Sequence, residues 1–563
     1  MQNHHPILLD HLAFAWPDGR LVFDDLSATF GNGTTGLVGP NGAGKSALLR
    51  LISGELMPDA GTLHVSSPPA FLEQKPIRDP RPTVASLLGV SGRLAALRRI
   101  LDGQTGQLEE DLASVGDDWD LEERAIALLA GHGLEDAGPG FLDRTAATLS
   151  GGEAMVVALA GLEFLGRPIT LLDEPTNNLD REARGRLYSA VERWRGTLLV
   201  ATHDTTLLGL VDTIAELRPV GVRAGLPGSV ELHLHGGDWA HYQGVKAAEL
   251  ESAERRVRDA SAKSAVERRQ QVEAETKLAR RAKQGRKAAD SLPKILANEL
   301  RKRAQETAGR TRQSMAASSD AARAELDAAK DDLPPDLSIT IDLPGTRVPA
   351  GRELMRHVAP ADVPYGVTEE GMEQVPGPGL VIRGPEWIVL AGRNGAGKTS
   401  LLRELERSAA VPVGVLRQDL SADDGGWEGV DASASVLENV RAAAPQTPVE
   451  DIRARLAHFH FRGSRVGQPV SQLSGGEIFR VALARILLSD PAPQLLLLDE
   501  PTNNLDHETI VQLLGALRAY AGGLVVVSHD EEFLDRLGKV GGRDRRQWEL
   551  KRVAPAPLST PMM

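Results

Sequence analysis

Short apolar runs occur at matching places in the two halves of the chain, and the first run of each half leads into a glycine-rich stretch and then helix-forming residues. This order predicts a strand-to-helix turn. The second run of each half ends in two carboxylates and has the length of a buried central strand. The pattern therefore predicts an α/β fold that is present twice. The four runs are residues 35–38, 169–172, 387–390 and 495–498.

The glycine-rich stretches, 39–46 and 392–399, both fit the phosphate-binding loop pattern. Its glycines let backbone N–H groups close around the β- and γ-phosphates, its lysine adds a point charge, and its hydroxyl residue ligates magnesium. A lone glycine-rich loop is sometimes an ordinary turn, but the strand and helix on either side favour phosphate binding. The predicted contacts are Gly39, Asn41, Gly42, Gly44, Lys45 and Ser46, and Gly392, Asn394, Gly395, Gly397, Lys398 and Thr399.

Two adjacent carboxylates end the second apolar run of each half, Asp173-Glu174 and Asp499-Glu500. Such a pair on its own is more typical of a solvated acidic turn, but its repetition favours catalysis. The aspartate of each pair is suited to holding Mg²⁺, and the glutamate to polarising the water that attacks the γ-phosphorus. We therefore predict that Glu174 and Glu500 are catalytic and that Asp173 and Asp499 bind the metal.

A histidine follows each aspartate at the same distance, since Asp173 to His203 and Asp499 to His529 are both 30 residues. A lone histidine at a strand end is more often a structural hydrogen-bonding residue than a phosphate sensor. Because the two histidines recur in matching contexts, we predict that both contact the γ-phosphate.

Both halves also contain the sequence Leu-Ser-Gly-Gly-Glu, at 149–153 and 473–477. A serine hydroxyl, glycine N–H groups and a following helix N-terminus form an anion site. With the preceding motifs, the chain resembles the ATP-binding-cassette superfamily. The resemblance implies that each signature completes the ATP site of the opposite half, so that two nucleotides lie between head-to-tail cassettes. The implied contacts are Ser474, Gly475 and Gly476 for the first site and Ser150, Gly151 and Gly152 for the second.

Three further contacts have weaker support from the local sequence. Gln74 and Gln418 match the family's Mg²⁺-contacting glutamine, although a surface glutamine at a strand end is as common. Their order between loop and signature favours the metal, which completes the predicted Mg²⁺ sets Ser46, Gln74 and Asp173, and Thr399, Gln418 and Asp499. Trp16 is the candidate for stacking on the first adenine, with a core aromatic as the alternative.

The distribution of charge is informative mainly for the segment between the two halves. The net charge is −13, yet residues 263–312 contain 15 Lys/Arg against 6 Asp/Glu. Residues 240–330 are rich in helix formers and predict a helical hairpin with a turn near 285–293 and a narrow Ala-rich seam. A solvated spacer is the alternative, but basic clusters on both sides of the predicted tip suit phosphate backbones. Because aromatic residues are scarce there, structured RNA is favoured over single strands.

Length and composition limit the number of domains and the classes of protein that the chain could belong to. A chain of 563 residues exceeds a single core, and no run approaches the roughly 18 apolar residues that span a bilayer. It has no cysteine, and its start lacks a basic region followed by an apolar one, so we expect a cytoplasmic protein. Residues 75–149 exceed their counterpart in the second half by 20, which leaves a small arm or an enlarged helical subdomain open.

The tandem cassettes, the paired Glu-Pro-Thr-Asn-Asn-Leu-Asp segments at 174–180 and 500–506 and the basic linker together resemble the ABC-F family. The resemblance covers nearly the whole chain. It implies an ATP hydrolase that uses ATP and Mg²⁺ and whose linker contacts ribosomal RNA and tRNA, as a translation factor or in antibiotic resistance. It also implies cassette pairing within a monomer and the absence of an integral membrane segment.

These expectations give two P-loop cassettes in tandem joined by a helical hairpin. The predicted segments are 1–240 (first cassette), 241–335 (basic linker), 336–545 (second cassette) and 546–563 (C-terminal tail). Two other functions stay open, the ATP-hydrolysing subunit of a membrane transporter with a separate permease and a DNA-maintenance ATPase. The signatures also differ, since Arg480 follows the second and Val156 stands at the matching position of the first.

Overall fold

The computed structural model divides the chain into two compact units, Met1–Trp239 with Leu337–Met563 and Ala240–Asp336. We call residues 6–239 the first cassette and 339–552 the second cassette. The residues that the structure describes are 6–17, 19–73, 82–104, 106–134, 137–149, 151–177, 179–220, 229–289, 294–331, 339, 341–357, 365–369, 380–392, 396–417, 427–503, 505–540 and 545–552.

The first cassette is a mixed α/β fold. Its strands are β1 (Ile7–Ala15), β2 (Leu21–Phe30), β3 (Gly33–Val38), β4 (Ala60–Val65), β5 (Ala70–Leu72), β6 (Ile169–Asp173), β7 (Thr197–Ala201), β8 (Thr213–Val220) and β9 (Ser229–Gly236). Its helices are α1 (Lys45–Ser53), α2 (Val84–Leu87), α3 (Ser91–Leu101), α4 (Leu108–Val115), α5 (Leu121–Gly131), α6 (Pro139–Leu142), α7 (Gly151–Leu165), α8 (Arg181–Glu192) and α9 (Thr205–Leu208).

A six-stranded sheet in the order β5-β6-β7-β3-β8-β9 forms the centre of this cassette. The strands β5 to β8 in this order are parallel, and β9 is antiparallel to β8. Every residue of β6 and β7 is buried, as expected for apolar runs covered on both faces. Because parallel strands end at one edge, the residues after β3, β6 and β7 lie together there.

The extra length of the first cassette is an enlarged helical subdomain. Helices α2 to α6 pack with α7 around their own core, which includes Leu88, Leu97 and Leu129. Asp111 on α4 is almost fully buried and accepts from Arg99 Nε on α3 at 3.0 Å, so an ion pair joins two of these helices. The alternative of a separate arm is therefore not what the described residues form.

The second cassette repeats this architecture. Its strands are β10 (Glu353–His357), β11 (Tyr365–Glu369), β12 (Leu380–Arg383), β13 (Trp387–Ala391), β14 (Val413–Arg417), β15 (Leu495–Asp499), β16 (Gly523–Val527) and β17 (Arg545–Arg552). Its helices, numbered after the two of the linker described below, are α12 (Lys398–Ser408), α13 (Val436–Ala443), α14 (Val449–Leu456), α15 (Gly475–Leu487), α16 (His507–Ala519) and α17 (Glu531–Lys539).

The sheet order β11-β17-β13-β16-β15-β14 mirrors that of the first cassette, except that its antiparallel edge strand, β11, precedes the phosphate loop in the chain. One prediction is wrong here. We placed the start of the tail at residue 546, but β17 continues to Arg552 and pairs in parallel with β13 and antiparallel with β11. Trp548 and Leu550 are buried in this sheet, so the apolar positions of 546–552 belong to the cassette core.

Phe479 on α15 offers a test of the second core. Its side chain is fully buried, and its ring meets the Trp427 ring edge-to-face at 5.2 Å between centroids. We expect Phe479→Ala to lower the free energy of unfolding by about 3–5 kcal/mol, because it removes apolar contacts and leaves a cavity. The midpoint of urea-induced unfolding measures this loss. Leu165→Ala, at a 44% exposed position, is the control, and equal midpoints for the two variants would contradict the assignment.

The second unit is the predicted helical hairpin, formed by α10 (Trp239–Ala289) and α11 (Lys294–Asp331). Lys263 Nζ lies 2.6 Å from Glu325 Oε2, and Ser318 Oγ donates to Glu267 Oε2 at 2.8 Å. From the first contact to the second, the residue number rises along α10 and falls along α11, so the two helices are antiparallel. Three of the buried residues on these helices are small, in keeping with the predicted Ala-rich seam: Ala253, Ala260 and Ala322. Tyr242, near the start of α10, is also buried.

The predicted position of the turn is partly wrong. We placed it at 285–293, but α10 continues through Gly285 and ends at Ala289. Glycine within a helix costs only about 1 kcal/mol relative to alanine, and the helix-forming residues around it outweigh that cost. The remaining residues of the predicted turn, 290–293, lie outside the described part of the chain.

Candidate nucleotide sites

The first phosphate loop links β3 to α1 and brings Lys45 against His203, which follows β7. Lys45 Nζ donates to Gly39 O at 2.9 Å and lies 3.0 Å from His203 Nε2. Burial, and then the Lys45 charge, lower the pKa of His203 to about 3. The imidazole is therefore neutral. The loop lysine and the histidine thus meet although 158 residues separate them.

Gly44 shows why the loop needs glycine. Its φ is 95°, and a Cβ at this position would lie 2.6 Å from Val22 Cγ1 and 2.7 Å from Phe23 Cζ. Any other residue would therefore combine a left-handed backbone with a steric clash. The glycine lets the loop approach β2 and places the first N–H groups of α1 at the mouth of the site.

Glu174 lies beside the same histidine. Its Oε1 is 3.4 Å from His203 Nε2, and its φ of 47° is in the left-handed region. Backbone in this region costs about 1–3 kcal/mol in a non-glycine residue, and such strain clusters at active sites. Burial raises the pKa of Glu174 to about 7, while the Lys45 charge opposes the rise. The carboxyl group is therefore poised to exchange a proton near neutral pH.

The second cassette builds the same cluster. Lys398 Nζ donates to Gly392 O at 2.7 Å and lies 2.9 Å from His529 Nε2. His529 N donates to Glu500 Oε2 at 3.3 Å, and the φ of Glu500 is 46°. Burial, then Lys398, lowers the pKa of His529 to about 4, and burial raises the pKa of Glu500. The repeated geometry matches the repeated sequence.

Asp173, at the end of β6, has the properties of a metal-binding residue. It is 4% exposed, and its Oδ1 has no hydrogen-bond partner among the described residues. Burial raises the pKa of Asp173, while a hydrogen bond from the Ser46 side chain lowers it. A buried, unsatisfied carboxylate oxygen beside a hydroxyl group fits a hard cation such as Mg²⁺. Thr399 on α12 and Asp499 on β15 occupy the matching positions of the second cassette.

Several predicted contacts cannot be compared with the structure. Gln74, Ser150, Asn394, Gly395 and Gln418 lie outside the described residues. Gly151 and Gly152 are the first residues of α7, and Gly475 and Gly476 are the first of α15. Both signatures therefore stand at helix N-termini.

Trp16 lies at a cavity beside the first phosphate loop. It lines this cavity of about 250 Å³ together with Gly42, Lys45, Glu174 and His203. The Phe14 ring supports it edge-to-face at 5.3 Å between centroids.

The two cassettes meet at Asp506, a residue that we did not predict. Its Oδ2 accepts from Asn41 N of the first phosphate loop at 3.0 Å, and its Oδ1 accepts from Thr509 N and Oγ1 of its own helix. A Cβ at Gly476 would lie 2.8 Å from Thr509 Oγ1, so the second signature adjoins the same carboxylate. The repeated Asn-Asn-Leu-Asp segment was the sequence signal that points to it.

Asp180, the matching aspartate of the first cassette, faces the second phosphate loop. It lines a cavity of about 570 Å³ with Arg181, Gly392 and His529. Asp180 also raises the pKa of Lys398, whose net shift is downward because burial dominates. Each cassette therefore supplies an aspartate to the loop of the other.

The two signature helices differ, as their sequences predict. Glu477 accepts from Ser474 N at 3.0 Å and Ser474 Oγ at 3.1 Å, and Arg480 Nη2 lies 3.5 Å from Glu477 Oε1. Arg480 is buried against the Phe461 ring. Val156, at the matching position of α7, is also buried but carries no charge. The signature next to the first loop therefore has a cation that the other lacks.

Comparison with known proteins agrees with this geometry. The ABC transporter family model matches residues 23–177 and 379–503. The tylosin resistance ATP-binding protein TlrC of Streptomyces fradiae is 32% identical over 92% of this chain and 94% of its own. The chain belongs to the ABC-F family. The energy-dependent translational throttle protein EttA of Escherichia coli K12 is 28% identical to this ABC-F protein, over 92% of this chain and 89% of EttA.

Solved structures support the fold of this ABC-F protein. The archaeal ribosome recycling factor aABCE1, solved with the ribosomal stalk protein aP1, aligns over 96% of this chain and 90% of its own with a TM-score of 0.50 and 19% identity. The RNase-L inhibitor aligns over 97% and 90%, also with a TM-score of 0.50 and 19% identity. Among the helices in the described ranges, none has the length and apolarity to cross a membrane.

Proposed function

We propose that this ABC-F protein binds two ATP molecules between its cassettes, hydrolyses them to ADP and phosphate, and acts on the ribosome through its basic linker. One observation carries the ATPase part: each lysine, histidine and glutamate cluster faces an aspartate from the opposite cassette. A nucleotide at either loop would therefore touch both halves, and its γ-phosphate would stabilise only their closed arrangement.

In the proposed reaction, Glu174 accepts a proton from the water that attacks the γ-phosphorus, and Glu500 does so in the second site. The raised pKa of each group supports this role, because burial shifts both carboxyl groups toward the operating pH, where a general base works best. His203 and His529 are neutral, so each can donate from one ring nitrogen to the γ-phosphate. Lys45 and Lys398 neutralise phosphate charge.

Mg²⁺ would be held by Ser46, Asp173 and Gln74 in the first site and by Thr399, Asp499 and Gln418 in the second. When bound, the ion neutralises charge on the β- and γ-phosphate oxygens. Asp173 supports this assignment through its buried and unsatisfied Oδ1. Asp506 and Asp180 close the two sites from the opposite cassette.

The ribosomal part of the proposal rests on the linker and on the relatives. TlrC is named for tylosin resistance and EttA for translational throttling. The described cations near the end of the hairpin are exposed, which suits binding to the phosphates of ribosomal RNA and tRNA. They are Arg280, Arg281, Lys283, Lys302 and Arg303.

Sedimentation with purified ribosomes tests this function directly. The chain is mixed with ribosomes, with branched DNA or with membranes, each with ATP, with a non-hydrolysable ATP analogue or without nucleotide. We expect co-sedimentation with ribosomes that depends on nucleotide and is strongest with the analogue. Binding to DNA or membranes without ribosomes would replace the proposal with one of the two alternative functions.

Trp16 gives a prediction for the first site. In a Lys398→Ala background, which weakens the second site, we expect Trp16→Ala to weaken ATP binding by about 1–3 kcal/mol through the loss of stacking on the base. Calorimetric titration with ATP measures the change, and Trp16→Phe should restore most of the affinity. Trp119→Ala, at a position that is 50% exposed, is the control. An unchanged Kd in Trp16→Ala would assign Trp16 to the core instead.

A further inference from the structure

A cavity of about 330 Å³ lies between the cassettes, bordered by both catalytic histidines. Two of its carboxylates occupy matching positions, since Asp204 follows His203 and Asp530 follows His529. Each also begins the next helix: Asp204 Oδ1 accepts from Thr206 N at 3.0 Å, and Asp530 Oδ1 accepts from Phe533 N at 2.9 Å. Each therefore fixes the segment that presents the histidine.

These two carboxylates repel each other across the interface. The Asp204 side chain is 7% exposed. Burial raises the pKa of Asp530, and the charge of Asp204 adds to the rise. Two buried like charges are unfavourable unless a cation lies between them. The interface between the cassettes thus contains two groups that need a counter-ion.

Arg184 on α8 is the cation in position to serve both. Its Nη1 lies 3.7 Å from Asp204 Oδ2, and its side chain is 14% exposed. It lines the cavity with both aspartates, and it also lines a smaller neighbouring cavity with both of them. The Arg184 charge opposes the rise in the pKa of Asp530. Its Nε donates to Leu179 O at 3.2 Å, which holds the stem of the side chain.

At the position equivalent to Arg184, the second cassette has no cation. Its Arg536 also lines the cavity, but Arg536 Nη1 lies 3.6 Å from Glu532 Oε1. Arg184 lies four residues after Asp180, and the residue four after Asp506 is Ile510. Ile510 lines the same two cavities as Arg184. The interface is therefore asymmetric, with one guanidinium from the first cassette near a carboxylate of each.

We propose that Arg184 is the shared counter-ion of Asp204 and Asp530, and that this single side chain couples the closing of the two ATP sites. The inference rests on the proposed function, because closure is taken to be driven by ATP. Arg184 acts as a positioning residue: it allows both histidine segments to approach in the closed state. Its loss would leave both buried carboxylates without this cation and would oppose closure at both sites together.

The test measures closure rather than hydrolysis. Because the chain has no cysteine, Ser91→Cys and Ser464→Cys, at exposed positions of the two cassettes, give two unique sites for a fluorophore pair. Energy transfer is titrated with ATP and Mg²⁺ in the full chain carrying Glu174→Gln and Glu500→Gln. We expect Arg184→Ile to need about tenfold more ATP for half-closure, with the change seen in one transition.

Rescue separates a counter-ion from a merely structural side chain. Arg184→Lys keeps the charge, and Asp530→Asn removes one carboxylate while keeping a residue that can begin α17. The Arg184→Lys protein should reach half-closure at an ATP concentration within about threefold of that of the parent. The protein that combines Arg184→Ile with Asp530→Asn should do the same. Arg193→Ile, at an exposed position near the end of α8, controls for the loss of one positive charge.

The outcomes distinguish the inference from the function on which it rests. If ATP does not change energy transfer in the parent chain, the proposed closure by ATP is wrong. If the parent closes and Arg184→Ile closes at the same ATP concentration, the counter-ion role is wrong. A defect in Arg184→Ile that neither Arg184→Lys nor Asp530→Asn relieves would also overturn it, since it would reflect packing alone.

Discussion

Replacing Glu174 and Glu500 together by glutamine should abolish most ATP turnover and leave ATP binding intact. Each glutamine keeps the size of the side chain and loses the ability to accept a proton from water. General-base catalysis contributes about 10²–10⁴-fold, so we expect a fall in kcat of that order. Phosphate release at saturating ATP measures turnover, and calorimetric titration measures binding. Because the γ-phosphate then persists, the variant should also accumulate in the closed state.

The matched control is Glu192→Gln with Glu450→Gln, which removes the same charge from two exposed positions, one in each cassette. That protein should turn over ATP as the unmodified chain does. Rapid steady hydrolysis by the Glu174 and Glu500 double variant would show that neither residue is the general base. Loss of both binding and turnover would instead indicate that glutamine disturbs the left-handed backbone at these positions.

The single variants test whether the sites are equivalent. The buried Arg480 next to the second signature has no charged counterpart at Val156, and Arg184 has none at Ile510. The two sites therefore differ in their surroundings although their lysine, histidine and glutamate clusters match. We expect Glu174→Gln and Glu500→Gln to leave different residual rates, measured by the same phosphate assay. Equal rates would show that these distant charges do not affect hydrolysis.

Much of the fold followed from the sequence because its elements obey local rules. The phosphate loops join β3 to α1 and β13 to α12 because apolar runs, glycines and helix formers occur in that order. The hairpin was also predictable, since α10 and α11 consist of helix formers with a seam of small residues. The approach of His203 to Lys45 was inferred only from the repeated motif, since it depends on strand order.

The errors and omissions in the predictions arise where tertiary contacts, rather than local sequence, determine the structure. The predicted start of the tail was wrong because 546–552 is a short, charged segment. Its buried residues become apparent only when β17 pairs with β13. The predicted position of the hairpin turn was partly wrong because a single glycine does not end a helix whose other residues favour helix. Asp506 and Arg184 were missed because their roles depend on contacts that form only in the folded chain. The repeated Asn-Asn-Leu-Asp segment marked Asp506, but the spacing did not show which residue it would contact.

The last prediction concerns the linker, where charge should control ribosome binding. We expect replacement of five exposed cations near the end of the hairpin by glutamine to weaken binding strongly and to flatten the dependence of affinity on salt. Each phosphate contact that is lost removes the release of about one counter-ion, so the slope of log affinity against log salt should fall in proportion. Sedimentation with ribosomes and the non-hydrolysable analogue, from low to high salt, measures both. The five positions are Arg280, Arg281, Lys283, Lys302 and Arg303.

A matched variant separates the linker from net charge. It replaces five exposed cations of the two cassettes by glutamine: Arg193, Arg195, Arg407, Arg453 and Arg455. Both variants carry the same total charge, so a non-specific effect would weaken them equally. We expect only the linker variant to lose affinity and salt dependence, because its cations lie together near one end of a hairpin whereas the others are dispersed over two domains. Equal loss in both would mean that the linker is a spacer, and that ribosome binding, if retained, resides in the cassettes.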